Sequence, residues 1–218
     1  MFALSLFALV SAATSLAAPA PAIVPSLTCR KSASAPLAIK FAGGAEAGIV
    51  NSQGATPVLV TTRNGAAATE QFDFYLCDST FMNTQSVGGS GGSTFYGQLR
   101  RASDGLCVQT TSRPQQSNPT ENTGFALKKC SFSDDSSQLF GTWKLVRSKG
   151  QKDGALTFIN GRQAQENEPN NNGQGEYIYF VEVINPTKTV IAARPQGTGD
   201  GSMLLMKNVT NYVVSGPL

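Results

Sequence analysis

Histidine is absent from all 218 residues, tryptophan occurs once, and only 14% of the chain is Asp, Glu, Lys or Arg. Without histidine there is no Ser-His-Asp or Cys-His nucleophile, and the commonest general base is missing. A zinc site is disfavoured too, because the cysteine spacings match no zinc pattern and no imidazole can complete one. The balance of 17 basic against 14 acidic residues, net +3, gives no nucleic-acid footprint. Arg30-Lys31, Arg100-Arg101 and Lys128-Lys129 are the basic doublets, and alternation along a strand sends the members of each to opposite faces. Gly88–Gly92 lacks the adjacent Lys-Ser/Thr pair of a phosphate loop. One chemical option survives, a pair of carboxylates as in glycosidases. Asp134-Asp135 and Glu166/Glu168 are the candidates by proximity, but adjacent acids in polar loops are mostly solvated turn residues. The expectation is a protein that is not an enzyme and holds no metal or cofactor.

Long apolar runs are also scarce. The single one covers residues 2–17, ends in the small residues Ser15-Leu16-Ala17, and precedes Ala-Pro-Ala-Pro-Ala. It is shorter than the roughly 20 residues of a membrane span and reads as a secretion signal. The expected organisation is a signal peptide at 1–17, a Pro/Ala-rich leader at 18–26 and one domain at 27–218. The C-terminus lacks the apolar tail of a lipid-anchor signal. These features predict a soluble, secreted, extracellular protein with no membrane contact. An even number of cysteines after a signal predicts disulfides among Cys29, Cys77, Cys107 and Cys130. Three connectivities are open. Asn208-Val209-Thr210 is a glycosylation sequon.

What the chain does have is alternation. Short β-branched, aromatic and aliphatic runs are divided by Gly, Asn, Ser and Pro, and no stretch sustains a helical period. Leu27–Lys31 reads as a tethered edge holding Cys29. Strands are expected at Leu37–Phe41, Ala47–Val50, Pro57–Thr62 and Gln71–Cys77. A second set follows at Phe95–Arg101, Leu106–Thr111, Phe125–Cys130 and Phe140–Arg147. A third lies at Ala155–Ile159, Glu176–Ile184, Thr189–Arg194 and Ser202–Asn208. Ser103-Asp104-Gly105 signals a turn, and Gly88–Gly92 reads as a flexible loop without regular structure. Trp143 falls among Phe140, Leu145 and Val146 and is read as core.

A repeat organises these runs. Phe125, Leu127, Cys130 and Gln138 each lie 53 positions after Phe72, Phe74, Cys77 and Gln85. A further 53 positions leads to Ile178, Phe180, Val183 and Ile191, where only the apolar alternation remains. Three copies of about four strands predict an all-β, closed or nearly closed barrel. Pairing within one copy favours Cys107–Cys130, which leaves Cys29–Cys77.

In the second copy, Gly105-Leu106-Cys107-Val108, Cys130 and Gln138-Leu139-Phe140 stand in order. They resemble the repeat of the ricin B-type lectin family: Gly-x-Cys-aliphatic, a second Cys, then Gln-x-Trp, here with Phe140 for Trp. The resemblance implies a β-trefoil of three repeats, about four strands each, with long loop insertions. Phe125, Leu127, Gln138 and Phe140 would be structural, Gln138 satisfying buried backbone groups and Phe140 filling the core. Family sugar sites use an Asp after the first Cys, an aromatic before the second and an Asn before the Gln. The second copy has Gln109, Lys128 and Ser137 there, and the third has Val181 and Val190, so neither keeps a site. In the first copy Tyr75 matches the aromatic, with Asn83, Thr84 and Gln85 following. The resemblance thus implies a carbohydrate-binding protein with degenerate sites, its surviving contact around Tyr75, Asn83, Thr84 and Gln85, and glycans or glycoproteins as partners. The alternative of another class is a trefoil that binds protein, such as a protease inhibitor, through the polar loops 112–124 and 165–175.

Overall fold

The computed structural model describes residues 24–52, 58–62, 65–84, 87–89, 92–112, 123–161, 177–185, 188–195 and 201–209. The expected signal peptide, most of the leader, and most of the loops at 112–124 and 165–175 lie outside these residues. The described chain is all-β, without α-helix, and its thirteen strands join one antiparallel system. They are β1 (Cys29–Lys40), β2 (Glu46–Asn51), β3 (Leu59–Thr61), β4 (Gln71–Cys77), β5 (Val87–Gly89), β6 (Gly92–Arg101) and β7 (Cys107–Thr110). Then come β8 (Thr123–Lys128), β9 (Thr142–Ser148), β10 (Gly154–Phe158), β11 (Tyr177–Asn185), β12 (Lys188–Pro195) and β13 (Met203–Met206).

Alternation makes these segments strands. In β4, Phe72, Phe74 and Leu76 are buried at alternate positions and Tyr75 stays half-exposed on the other face. The strands whose side chains are described bury such faces, and the ladders curl to enclose them. Pairing runs from β1 to β4, β6, β9, β10 and β13, and from β13 back to β1. A ring closed in this way has no free edge. Three hairpins, β2–β3, β7–β8 and β11–β12, lie off the ring. They meet through Val60–Val190, Ala192–Gly124 and the Val58–Ala126 bridge.

The core sits inside the ring and under the hairpins. At its centre the Trp143 ring lies 4.9 Å from Phe125, 5.6 Å from Phe158 and 5.8 Å from Tyr179. The Trp143 indole N–H donates to the Val108 carbonyl at 2.9 Å, so its one polar atom is satisfied. Each fully buried aromatic contributes on the order of 1.5–3 kcal/mol by area.

Several expectations are corrected by the structure. Leu27–Lys31 and Leu37–Phe41 are not two elements; β1 runs unbroken from Cys29 to Lys40. Pro36, the natural place to break it, pairs with Gln71 at the very start of β4. From Leu37 onward β1 pairs instead with β2 and β13, so the missing proline N–H falls where the partner changes. Gly88–Gly92 is not devoid of regular structure: Val87–Gly89 pairs with Gly92–Thr94 as a short hairpin. Phe140 ends a 3-10 turn, Ser136–Phe140, rather than opening β9.

The 53-residue spacing does not relate equivalent elements. Phe72–Cys77 lies on β4, a ring strand, whereas Phe125 and Leu127 lie on β8, a hairpin strand. Ile178–Val183 belongs to β11, the opening strand of another hairpin. What recurs is the order ring strand, hairpin pair, ring strand: β1–β4, then β6–β9, then β10–β13. The strand groups expected from sequence follow that order. The disulfides are Cys29–Cys77, joining directly opposed residues of β1 and β4, and Cys107–Cys130, joining the start of β7 to the segment after β8.

Candidate functional site

Cys130 ends the second hairpin, and the chain crosses the outside of the ring as Ser131–Asp135 before the 3-10 turn. This segment is pinned along its length. Gln138, 3% exposed, donates its side-chain amide to the carbonyls of Ser133 at 2.8 Å and Ser131 at 3.4 Å. Gln98, on the outer face of β6, donates to the Ser131 carbonyl at 2.7 Å. The Leu27 N–H reaches the Phe132 carbonyl at 2.7 Å, and the Asp134 N–H reaches the Pro25 carbonyl at 2.8 Å. Gln138 thus ties two carbonyls of the crossing segment to the 3-10 turn. Phe140 is partly buried against Met82, Leu139 and Ile159 in a small second core.

The carboxylate of Asp134 ties this segment to the turn after β4. It accepts from the Ser79 hydroxyl, from the Thr80 N–H at 2.9 Å and from the Phe81 N–H at 3.3 Å. Asp135 accepts the Ser137 N–H at 2.8 Å and caps the 3-10 turn. Hydrogen bonds from the Ser137 side chain and, less, from its backbone N–H hold the Asp135 carboxyl below the usual carboxylate range. Both aspartates are thus occupied in local structure, as turn residues commonly are. Glu166 and Glu168 lie outside the described residues.

Tyr75, on the outer face of β4, is covered. The Arg100 guanidinium of β6 lies 3.7 Å from the centre of its ring, while Phe132 approaches the same guanidinium at 5.1 Å. Arg100 Nε and Nη2 donate to Gln98 Oε1 at 3.2 and 2.8 Å. Burial lowers the Arg100 pKa, against the opposing pull of Tyr75 and Asp73. Beside this stack, Lys31 pairs with Asp73 at 2.8 Å. The strands can approach this closely only because position 97 is glycine; a Cβ there would fall 1.8 Å from the Tyr75 carbonyl oxygen.

The sequence-expected residues are therefore only partly assembled. Tyr75 is in the stack. Asn83 and Thr84 belong to the Asp134-tied turn. Thr84 is buried, its hydroxyl accepting the Ser79 N–H at 3.3 Å, so it is turned to the turn's own backbone. Asn83 holds a φ of 53° in that turn, the left-handed conformation asparagine tolerates. Gln85 lies outside the described residues. Among the described residues the exposed aromatics are others: Phe132 at 48% and Phe81 at 38%. Phe132 had a readable signal, a lone aromatic in a Ser/Asp-rich loop just past a cysteine. Arg100 had none, since its role depends on a neighbour across the ladder.

Among the described residues no group of three metal-binding side chains converges, and no helix is long and apolar enough to cross a membrane. No family model, curated protein or solved structure matches the chain.

Proposed function

We propose that this is a secreted β-trefoil, built on the plan of ricin B-type lectins, that binds carbohydrate on the outer surface organised by Ser131–Asp135. The trefoil reading is supported by the ring of six ladders, the three mutually touching hairpins, and a second unit whose Cys107, Cys130 and Gln138 fall at the hairpin start, hairpin end and turn before the ring strand. Secretion is supported by the apolar leader and the two disulfides.

The observation that carries the function is Phe132. It is a large exposed ring on a segment fixed at both ends, backed by a guanidinium that is itself stacked on Tyr75. A rigid aromatic with one wet face offers a platform for the apolar face of a sugar ring, and binding to a preorganised platform loses little conformational entropy. Arg100 against the ring, and the half-exposed Lys31 beside the Tyr75 stack, supply donors for hydroxyls. Tyr75, sheltered by Arg100, supports the platform rather than forming it.

The test is a glycan array probed with oxidised wild-type protein and with Phe132→Ala. Saturable binding to a narrow sugar class, weakened at least about tenfold by Phe132→Ala, is expected. A blank array with folded protein, or binding indifferent to the substitution, overturns the reading.

A further inference from the structure

Far along β1 from the disulfide end, a cleft of about 230 Å³ opens between Pro36–Ala38, Glu46–Gly48, the strap at Gly65–Ala68, and Lys207–Asn208. The strap is laid directly on β2. The Gly48 N–H donates to the Ala66 carbonyl at 3.0 Å, and a Cβ on Gly48 would fall 2.2 Å from the Ala68 nitrogen. One wall is small and apolar, from Pro36, Ala38, Ala47 and Ala68. The other is polar but balanced. Lys207 bonds Glu46 at 3.0 Å and also Asp153, and Lys40 lies close enough to act on Asp153. Two ammonium groups face two carboxylates, which suits a neutral ligand rich in hydroxyl and amide groups over an ion. The volume lies below the range of about 300–1,000 Å³ for drug-sized ligands, so it suits a single ring.

The rim of this cleft carries the sequon asparagine. Asn208 is exposed, and its backbone is fixed with a φ of 52°. Its N–H bonds Asp153 at 2.9 Å, and the Val209 N–H bonds the Lys152 carbonyl at 2.9 Å. We propose that Asn208 carries an N-linked glycan whose first N-acetylglucosamine lies in the cleft, its ring and acetyl methyl on the apolar wall and its polar groups toward Lys207 and Glu46. In the attachment step the Asn208 amide nitrogen bonds the sugar's C1 as the bond from C1 to a polyprenyl-diphosphate donor breaks. The diphosphate leaves with the electron pair, and the amide proton passes to the transferring enzyme's base. The inference rests on the secretory reading above and is independent of the Phe132 surface.

The full chain is expressed in a eukaryotic secretory host and its mass measured before and after peptide N-glycosidase. Thr210→Ala should remove the glycan and Thr210→Ser retain it; these variants avoid replacing Asn208, whose positive φ few residues tolerate. Chain in the medium with Asn208 unmodified overturns the glycan alone. Chain held in the cytosol overturns the secretory reading it rests on. For the cleft, Ala67→Trp on the exposed strap should displace the seated sugar. Enzymatic release from native wild type should be about tenfold slower than from native Ala67→Trp, and equal after denaturation, because a seated glycan is cleavable only in its undocked fraction. Equal native rates overturn the seating.

Discussion

The first and second four-strand units contain similar residues used differently. Both hold the pattern Phe-x-Phe/Leu-x-x-Cys, and in both the apolar positions are buried. In the first unit, the pattern is ring strand β4, and its cysteine clamps β4 to β1. In the second, it is hairpin strand β8 together with the two residues after it, and its cysteine closes the hairpin. Both units then reach an exposed phenylalanine, Phe81 or Phe132, but among the described residues only the second carries it on a crossing segment pinned by glutamines. The lesson is that alternation plus a terminal cysteine describes any half-buried strand that ends in a disulfide. It does not say where in the fold the strand lies.

The largest way to sharpen this contrast is at Trp143, where the second unit's ring strand meets its hairpin. Trp143→Ala should cost about 3–5 kcal/mol, from the cavity and the orphaned Val108 carbonyl together. Denaturant unfolding measures it. A loss below about 1 kcal/mol would mean that the aromatic centre can collapse and that ring and hairpins are less tightly joined than their packing implies.

The disulfides test the two cysteine roles directly. The bridges span 48 and 23 residues. On loop entropy alone, the Cys29→Ser/Cys77→Ser double variant should lose about 4 kcal/mol and Cys107→Ser/Cys130→Ser about 3.4 kcal/mol. The ring clamp should therefore be the costlier loss. A reversed order, read from unfolding free energies of the two double variants, would show that the hairpin bridge also holds the Ser131–Asp135 segment in place.

Asp134→Ala comes next. It removes the acceptor for Ser79, Thr80 and Phe81 and should cost about 1–3 kcal/mol. Amide exchange should rise at Thr80 and Phe81 and stay unchanged in β1. Should stability fall while exchange at these amides stays protected, Asp134 is not what orders the turn.

Much of the fold was readable for a simple reason. A strand with one buried face writes its period into the sequence, so the strand segments and their grouping in fours follow from alternation and punctuation. Relations between strands leave no such local trace. The 53-residue spacing looked like a repeat because β4 and β8 share a period, not a position. The unbroken β1 was hidden because Pro36 is tolerated only where the ladder changes partner, which sequence does not show. The site was legible only in part. Tyr75 stood out by its distance from a cysteine, but its cover, Arg100, is brought to it by the β4–β6 register. Phe132 lies in an aperiodic loop, and its value comes from exposure and from being pinned by Gln98 and Gln138.

The smallest expected effect concerns Asp153 in the third unit, a carboxylate that, like Asp134, accepts a backbone N–H. Burial pushes its pKa up, but hydrogen bonds from Lys207 and Asn208 prevail and hold it below the ordinary value. A carboxyl depressed on folding stabilises above its unfolded pKa, about 4, and that contribution is lost as the pH falls through the folded value. Thermal midpoints should therefore be level from pH 7 to about 5 and decline below about 4. Asp153→Asn keeps an acceptor for Asn208 but abolishes the titration, so its decline should be shallower than that of the wild type. The Asp134→Ala deficit, by contrast, should already be present in full at neutral pH. Parallel acid curves for wild type and Asp153→Asn would show that the acid sensitivity lies at other carboxylates, such as Asp104. There a hydrogen bond from Arg101 is the main cause of a lowered pKa.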